Sequence, residues 1–164
     1  MFFKLDSFAL AGIDAIKVSV EVHISNGLPS FTIVGLPDKA ISESRQRVRA
    51  AIINSGFKFP MKRIIINLSP ADIRKEGAFY DLPIALSILA VSGQISSKLF
   101  SECCFVGELS LDGKINPVKG IISMVERAVK TGKNFFIVPQ KIAHQASLIK
   151  NINIVPGDNL NGVV

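Results

Sequence analysis

The stretch 15–34, AIKVSVEVHISNGLPSFTIV, contains a strand, a turn and a second strand. Apolar and polar residues alternate in its first half, which is typical of a strand with one buried and one solvated face. The apolar set is Ile16, Val18, Val20, Val22 and Ile24. Ser25–Pro29 has the composition of a turn, so Ser30–Val34 is predicted to return as a strand. On the other side, Lys4–Gly12 is predicted as the hairpin partner.

Beyond this β-rich start the apolar spacing becomes that of helices. Asp38 can cap a helix that runs to about Ser55, and Asp81 can cap a second helix over Leu82–Ser92. The second helix is apolar almost all round, which predicts a central, buried helix. Lys62–Leu68 is predicted as an inner strand covered on much of both faces. The remaining predicted elements are a strand at Cys103–Leu109, a tight turn into Ile115, a helix at Gly120–Thr131, a strand at Phe135–Pro139, a short helix at Ile142–Leu148 and a strand at Asn153–Pro156.

Length and composition favour one α/β domain built on a mixed sheet. We expect the domain to cover 1–156 of the 164 residues, with 157–164 as the start of a linker. No apolar run approaches the roughly 18 residues of a membrane span and no secretory signal opens the chain, so we expect a cytoplasmic protein without a membrane partner. Cys103 and Cys104 are adjacent, which suits neither a disulfide nor a zinc site, and are expected to be buried thiols.

The net charge of +6 is concentrated in one segment, since 38–76 holds nine Lys and Arg against four Asp and Glu. A localised positive surface suits a polyanionic partner such as DNA. The candidate nucleic-acid-binding residues are Arg45, Arg47, Arg49, Lys62 and Arg63. The alternative is a solvated basic helix face whose side-chain stems cover apolar surface. Because no stacking platform is obvious among the Phe residues, contact is expected with the DNA backbone, independent of sequence.

Four stretches, taken together and in order, closely resemble the N-terminal domain of the ComM/YifB family of magnesium-chelatase-like AAA+ ATPases. They are VEVHISNGLPSF (20–31) with IVGLP (33–37), RVRAAI (47–52) with NSGF (54–57), INLSPAD (66–72), and KEG (75–77) through YDLPIA (80–85). The resemblance implies a fold like that of the Lon protease domain, ribosomal-protein-like, with a left-handed βαβ crossover in place of the usual right-handed one. The stretch 105–120, FVGELSLDGKINPVKG, looks like the Lon hairpin and the start of the helix that follows it.

For function, the resemblance implies an accessory domain that aids assembly and touches DNA. ATP and magnesium would bind only to an AAA+ module outside this chain. The full-length protein would be an ATPase and helicase that promotes DNA branch migration in natural transformation, as a hexamer. The alternative is a protein-interaction or structural module that does not bind DNA.

A degenerate Lon-like peptidase is the third hypothesis, and the sequence supplies no serine–lysine pair for it. The region that matches the Lon nucleophile, Glu76–Asp81, lacks serine, and the lysine position falls on Met124; Lys119 comes before the helix. Asp72, Arg74, Lys75 and Glu76 are predicted to form a solvated ionic loop. No phosphate-binding loop is present, because Gly113-Lys114 and Gly132-Lys133 lack the residues that must surround them. No catalytic, cofactor-binding or metal-binding residue is therefore predicted in this chain.

Overall fold

Nine strands and four helices make up the computed structural model, which describes all of residues 1–164. The strands are β1 (Phe2–Ala11), β2 (Asp14–Ser25), β3 (Ser30–Val34), β4 (Arg63–Ser69), β5 (Cys103–Phe105), β6 (Glu108–Leu109), β7 (Ile115–Asn116), β8 (Phe135–Pro139) and β9 (Asn153–Gly157). The helices are α1 (Lys39–Asn54), α2 (Asp81–Val91), α3 (Ile121–Lys130) and α4 (Ala143–Ala146).

Seven of the strands form one mixed sheet in the order β3-β4-β2-β1-β5-β8-β9. The β1–β2 hairpin lies near its centre, β4 runs antiparallel to β2, and the other neighbouring pairs are parallel. Strands β6 and β7 form a separate small hairpin. The predicted mixed α/β fold is confirmed. The unit β3-α1-β4 joins two adjacent parallel strands, and the left hand of its crossover stays a prediction.

The alternating pattern of β2 is confirmed by its burial. Val18, Val20 and Val22 are fully buried, while Lys17 and His23 are exposed. Strand β4 was predicted to be covered on much of both faces: Ile64 and Ile66 on one face are buried, and Ile65 on the other face is half-buried. Helix α1 packs on one face of the sheet, and the other face of β4 is left partly open to solvent.

Two predicted helix caps have different outcomes. The Asp38 carboxylate accepts a hydrogen bond from the backbone N–H of Ile41 (2.8 Å), so it caps α1 as expected. The predicted cap at Asp81 is wrong, because Tyr80 occupies the cap position and Asp81 lies inside the first turn of α2. Its side chain is bound by other elements instead. The predicted central burial of α2 is confirmed, since its residues from Asp81 to Leu89 are buried.

The predicted strand Cys103–Leu109 is two strands, interrupted at Gly107. The N–H of Gly107 donates to the Phe79 carbonyl (2.9 Å) and its carbonyl accepts from Leu82 (3.0 Å). The backbone of Gly107 is therefore bound to the start of α2 and cannot continue the sheet ladder. A side chain there would also collide with Ile115, 2.6 Å from the position of a Cβ.

The predicted domain boundary at residue 156 is too early. Asn159 caps a short 3-10 helix at Leu160–Val163, and Leu160 is fully buried. Backbone hydrogen bonds fasten this segment to the rest of the chain, from Leu160 N–H to Gly113 (2.8 Å) and from Ile115 N–H to Asp158 (2.9 Å). Residues up to Val163 thus pack on the domain, where a linker was expected.

One cluster of 39 buried apolar residues forms the core, and it includes residues of β4 and β8, the strands next to the two edges of the sheet. Cys103 and Cys104 are buried and unpaired, as predicted, and burial raises the pKa of the Cys104 thiol to about 12. None of the helices combines the length and the apolar character that crossing a bilayer requires.

Candidate nucleic-acid interface

Helix α1 carries polar side chains on two different sides. Arg45 and Arg49 are four residues apart and so lie on one side of the helix, while Ser44 and Arg47 are three apart and lie on another. The apolar positions Ile41, Val48 and Ile52 face the core. The two polar sides meet different surroundings, and the structure separates the predicted basic residues accordingly.

The first side opens on a cleft of about 280 Å³ between α1, the start of β3 and the segment before β4. We call it the basic cleft. Its lining residues are Pro29, Ser30, Phe31, Arg45, Gln46, Arg49, Phe59, Pro60, Met61 and Lys62. Three cations and no carboxylate are among them, so the potential in the cleft is positive.

The two arginines of the basic cleft are oriented by their neighbours, and none of its three cations is neutralised. Arg45 donates through Nε to the Ser42 carbonyl (3.0 Å) and through Nη1 to the Phe31 carbonyl (3.4 Å). The guanidinium of Arg49 lies over the Phe59 ring, 5.5 Å from its centroid. No carboxylate lies within ion-pair distance of Arg45, Arg49 or Lys62. Their charges are available to an external anion.

Two phenylalanines accompany these cations, where the sequence had suggested no aromatic platform. The rings of Phe31 and Phe59 lie 5.6 Å apart between centroids, and both are half-buried. Twenty-eight positions separate them, and neither lies in a motif for stacking. The parallel pairing of β3 with β4 brings Phe31 to the segment that contains Phe59.

Arg63 lies beside the basic cleft without lining it. It is the first residue of β4, is exposed, and pairs with Ser30 of β3. Because side chains alternate along a strand, Arg63 faces away from the side on which Ile64 meets the core. It therefore contributes positive charge to the open face of the sheet.

Arg47 was predicted to face DNA, and the structure places it elsewhere. Its Nε lies 2.6 Å from Oδ2 of Asp81, and its Nη2 lies 3.2 Å from Oδ1. Nη2 also donates to the Ala40 carbonyl (2.8 Å), and only 21% of the side chain is exposed. The guanidinium is therefore bound inside the domain. Arg47 is not part of the candidate interface.

Asp81 is the centre of this interior network, which we call the Asp81 cluster (Asp81, Arg47, Ser44 and the N–H of Leu109). The Ser44 hydroxyl donates to Oδ1 of Asp81, and Leu109 donates to Oδ2 (3.2 Å). Burial raises the pKa of the fully buried Asp81 carboxyl, although the hydrogen bonds from Arg47 and Ser44 act in the opposite direction. The hydrogen bond with Asp81 in turn raises the pKa of Arg47. The cluster ties α1, α2 and β6 together.

A groove of about 380 Å³ lies where the Lon resemblance would place a peptidase site. Its lining residues are Leu10, Glu76, Gly77, Ala78, Phe79, Glu108, Pro117, Val118 and Lys119. None of these side chains carries a hydroxyl that could serve as a nucleophile. Met124, at the expected position of the lysine, is fully buried. The groove thus contains no serine–lysine pair, which the peptidase hypothesis requires.

The predicted ionic loop is correct for one pair and wrong for Lys75. Arg74 and Glu76 form an exposed ion pair (3.3 Å). Lys75 between them is fully buried, and its Nζ donates to the Pro70 carbonyl. Burial lowers the pKa of the Lys75 amine, with the charge of Asp72 acting in the opposite direction. The backbone of Lys75 bridges to the residues before α1, which turns its side chain inward.

Comparison with known proteins identifies the relatives of this chain. The family described as subunit ChlI of Mg-chelatase matches residues 20–142. The protein YifB of Escherichia coli is 46% identical over 94% of this chain, and the competence protein ComM of Haemophilus influenzae is 44% identical over 96%. The chain spans about 30% of the length of these relatives. A Lon protease of Trichlorobacter lovleyi is 22% identical over 88% of the chain, which agrees with the fold.

Proposed function

The chain belongs to the ComM/YifB family of magnesium-chelatase-like proteins, and we propose that it acts there as an accessory domain that contacts DNA. ATP and magnesium would bind to an AAA+ module outside these residues, and the complete protein would work as a hexameric motor. One relative is named a competence protein. A role in the branch migration of DNA during natural transformation is part of this proposal.

The observation that carries the proposal is the composition of the basic cleft. Three cations that are not paired with a carboxylate line it, while Arg63 lies on the open face of the sheet. Phosphates that replace counterions at such a surface gain free energy from counterion release, and the gain falls as salt rises. In the cleft wall, backbone carbonyls orient Arg45 and the Phe59 ring orients Arg49. A basic helix face that only meets solvent would not require such contacts.

A titration of fluorescent oligonucleotides tests this proposal. We expect the chain to bind labelled DNA at low salt and to lose affinity as salt is added. The triple variant Arg45→Ala/Arg49→Ala/Lys62→Ala should weaken binding at least about tenfold, because it removes all three positive charges that line the basic cleft. The matched control is Lys39→Ala/Arg74→Ala/Lys114→Ala, which removes the same charge from cations that are exposed and already paired with carboxylates.

The control separates a defined surface from general charge attraction. Binding that falls equally in both triple variants would show that the basic cleft has no special role. No binding by the parent chain at low salt would reject DNA contact altogether.

The alternative function, a protein-interaction module, is favoured by apolar side chains around the same cleft. Leu28 is 90% exposed and Met61 is 65% exposed. Exposed apolar residues beside a charged cleft suit a protein partner, such as the motor module itself. Loss of ring assembly in the full-length protein on Leu28→Ser/Met61→Ser, with DNA affinity of this chain unchanged, would support that role.

A further inference from the structure

The basic cleft contains more than phosphate contact requires. Cations alone would suffice to follow a nucleic-acid backbone, yet Phe31 and Phe59 form part of the wall. Both rings are half-buried, so each keeps some surface toward the cleft. Nucleobases stack on such rings, and arginine planes extend the same stacking surface.

We propose that the basic cleft takes a base of single-stranded nucleic acid, stacked against Phe59 and the Arg49 guanidinium, while Arg45 and Lys62 hold the neighbouring phosphates. This inference rests on the proposed contact with DNA and adds the form of nucleic acid that is bound. It assigns base stacking to Phe59 and Arg49, and phosphate contact to Arg45 and Lys62.

The arrangement of Arg49 supports the stacking role. Its guanidinium already lies over Phe59 (5.5 Å), and the rings of Phe59 and Phe31 are 5.6 Å apart, so the three planar groups are neighbours before a ligand arrives. A surface that is ordered in advance loses less side-chain entropy on binding. Arg45, held by two backbone carbonyls, is similarly oriented next to them.

The size of the cleft favours a single strand over a duplex. About 280 Å³ lies just below the range of roughly 300–1,000 Å³ typical of sites for small ligands, which suits one flat group with its attached phosphate. In a duplex the base faces are stacked and paired, and only base edges are presented in the grooves. Ring faces in a narrow cleft can bind a base only when it is unstacked.

Three probes of equal length distinguish base stacking from phosphate contact: oligodeoxythymidine, an abasic deoxyribose-phosphate strand, and a duplex. We expect the chain to bind oligodeoxythymidine about tenfold more tightly than the abasic strand, the size of effect that one stacked base gives. Phe59→Leu should remove that difference, because leucine keeps an apolar side chain but offers no ring face. Phe59→Tyr should preserve it.

Phe100→Leu is the matched control. Phe100 is also half-buried and also packs against other phenylalanine rings, but it lies outside the basic cleft. The Phe100→Leu variant should bind all three probes with unchanged affinity. Thermal unfolding of each variant shows whether a change in affinity reflects loss of the fold, and Phe59→Tyr keeps the test decisive if Phe59→Leu is unstable.

The outcomes separate the two proposals. Equal binding of the thymidine and abasic strands, with both lost in the triple cation variant, would overturn base stacking and leave DNA contact intact. A preference for the duplex, or a thymidine preference that survives in Phe59→Leu, would also overturn it. Failure of the parent chain to bind any probe would remove both proposals.

Discussion

The two polar sides of α1 use the same residue type for opposite purposes. On one side, Arg45 and Arg49 are exposed, meet no carboxylate and stand at a cleft wall. On the other, Arg47 is bound to a fully buried aspartate. The comparison shows that a run of arginines in a sequence does not define a charged surface. The neighbouring elements decide which charges reach solvent.

The Asp81 cluster is centred in the part of the chain that resembles the Lon nucleophile region. The Asp81 carboxylate accepts hydrogen bonds from α1 and from Leu109. A buried ion pair stabilises little compared with an apolar contact of equal size, whereas removal of one partner is costly. We therefore infer that the cluster fixes how α1 packs on α2.

The largest expected effect comes from Asp81→Ala. The substitution leaves the Arg47 guanidinium without its carboxylate in a mostly buried position, and we expect the free energy of unfolding to fall by about 3–5 kcal/mol. Urea denaturation measures this change. Glu43→Ala, which removes an exposed carboxylate from α1, should cost less than about 1 kcal/mol. A loss below about 1 kcal/mol for Asp81→Ala would show that the cluster is not structural.

Replacing Arg47 and Arg49 by alanine, one at a time, tests the comparison between the two sides of α1. Arg47→Ala should lower the free energy of unfolding by about 3 kcal/mol, since it leaves a buried carboxylate unpaired, and should leave the DNA affinity of the folded chain unchanged. Arg49→Ala should do the reverse, with little change in stability and a several-fold loss of DNA affinity. Denaturation and oligonucleotide titration on the same samples test both. Equal effects of the two variants on DNA binding would return Arg47 to the interface.

A double-mutant cycle adds a check on the cluster itself. Arg47→Ala and Asp81→Ala remove partners of one contact, so the double variant should lose clearly less stability than the sum of the single losses. Additive losses would mean that the two side chains act independently in solution, against the contact seen at 2.6 Å.

The salt dependence of DNA affinity gives a smaller effect, and it concerns only the cations of the basic cleft. For single strands, each phosphate contact contributes about −0.7 to the slope of log affinity against log salt. Arg45→Ala and Lys62→Ala should each reduce the slope by about that amount, and Arg47→Ala should not change it. An unchanged slope in Arg45→Ala would mean that the Arg45 charge meets no phosphate.

Much of the fold could be predicted from local pattern. The alternation of β2, the Asp38 cap and the apolar stripe of α1 are consequences of short-range geometry, and the structure confirms them. Errors occurred where a distant element decided the outcome. Asp81 looked like a cap because caps and buried acceptors share the same residue types, and its true partners lie in α1 and β6.

The candidate site was predictable in part for the same reason. The spacing of Arg45 and Arg49 placed both on one helix side, and their position at the cleft agrees with it. Arg47 is two residues from each of them and therefore lies about 200° round the helix. The only local sign that it makes a polar contact in the interior was Ser44, three residues before it. Phe31 and Phe59 meet through strand pairing, which no local pattern reveals.

Lys75 provides the smallest expected effect; unlike Arg47, it is a buried cation without a carboxylate partner. Burial lowers the pKa of its amine in the folded chain, so the unfolded chain binds more protons in the alkaline range. The contribution of Lys75 to stability is then complete above the unfolded pKa of about 10.4 and is lost as pH falls through the lowered pKa. Lys75→Met should remove this rise in the free energy of unfolding. Lys39→Met, at an exposed lysine, is the control. If the free energy of unfolding depends on pH in the same way in both variants, the Lys75 amine is in solvent and not in the interior.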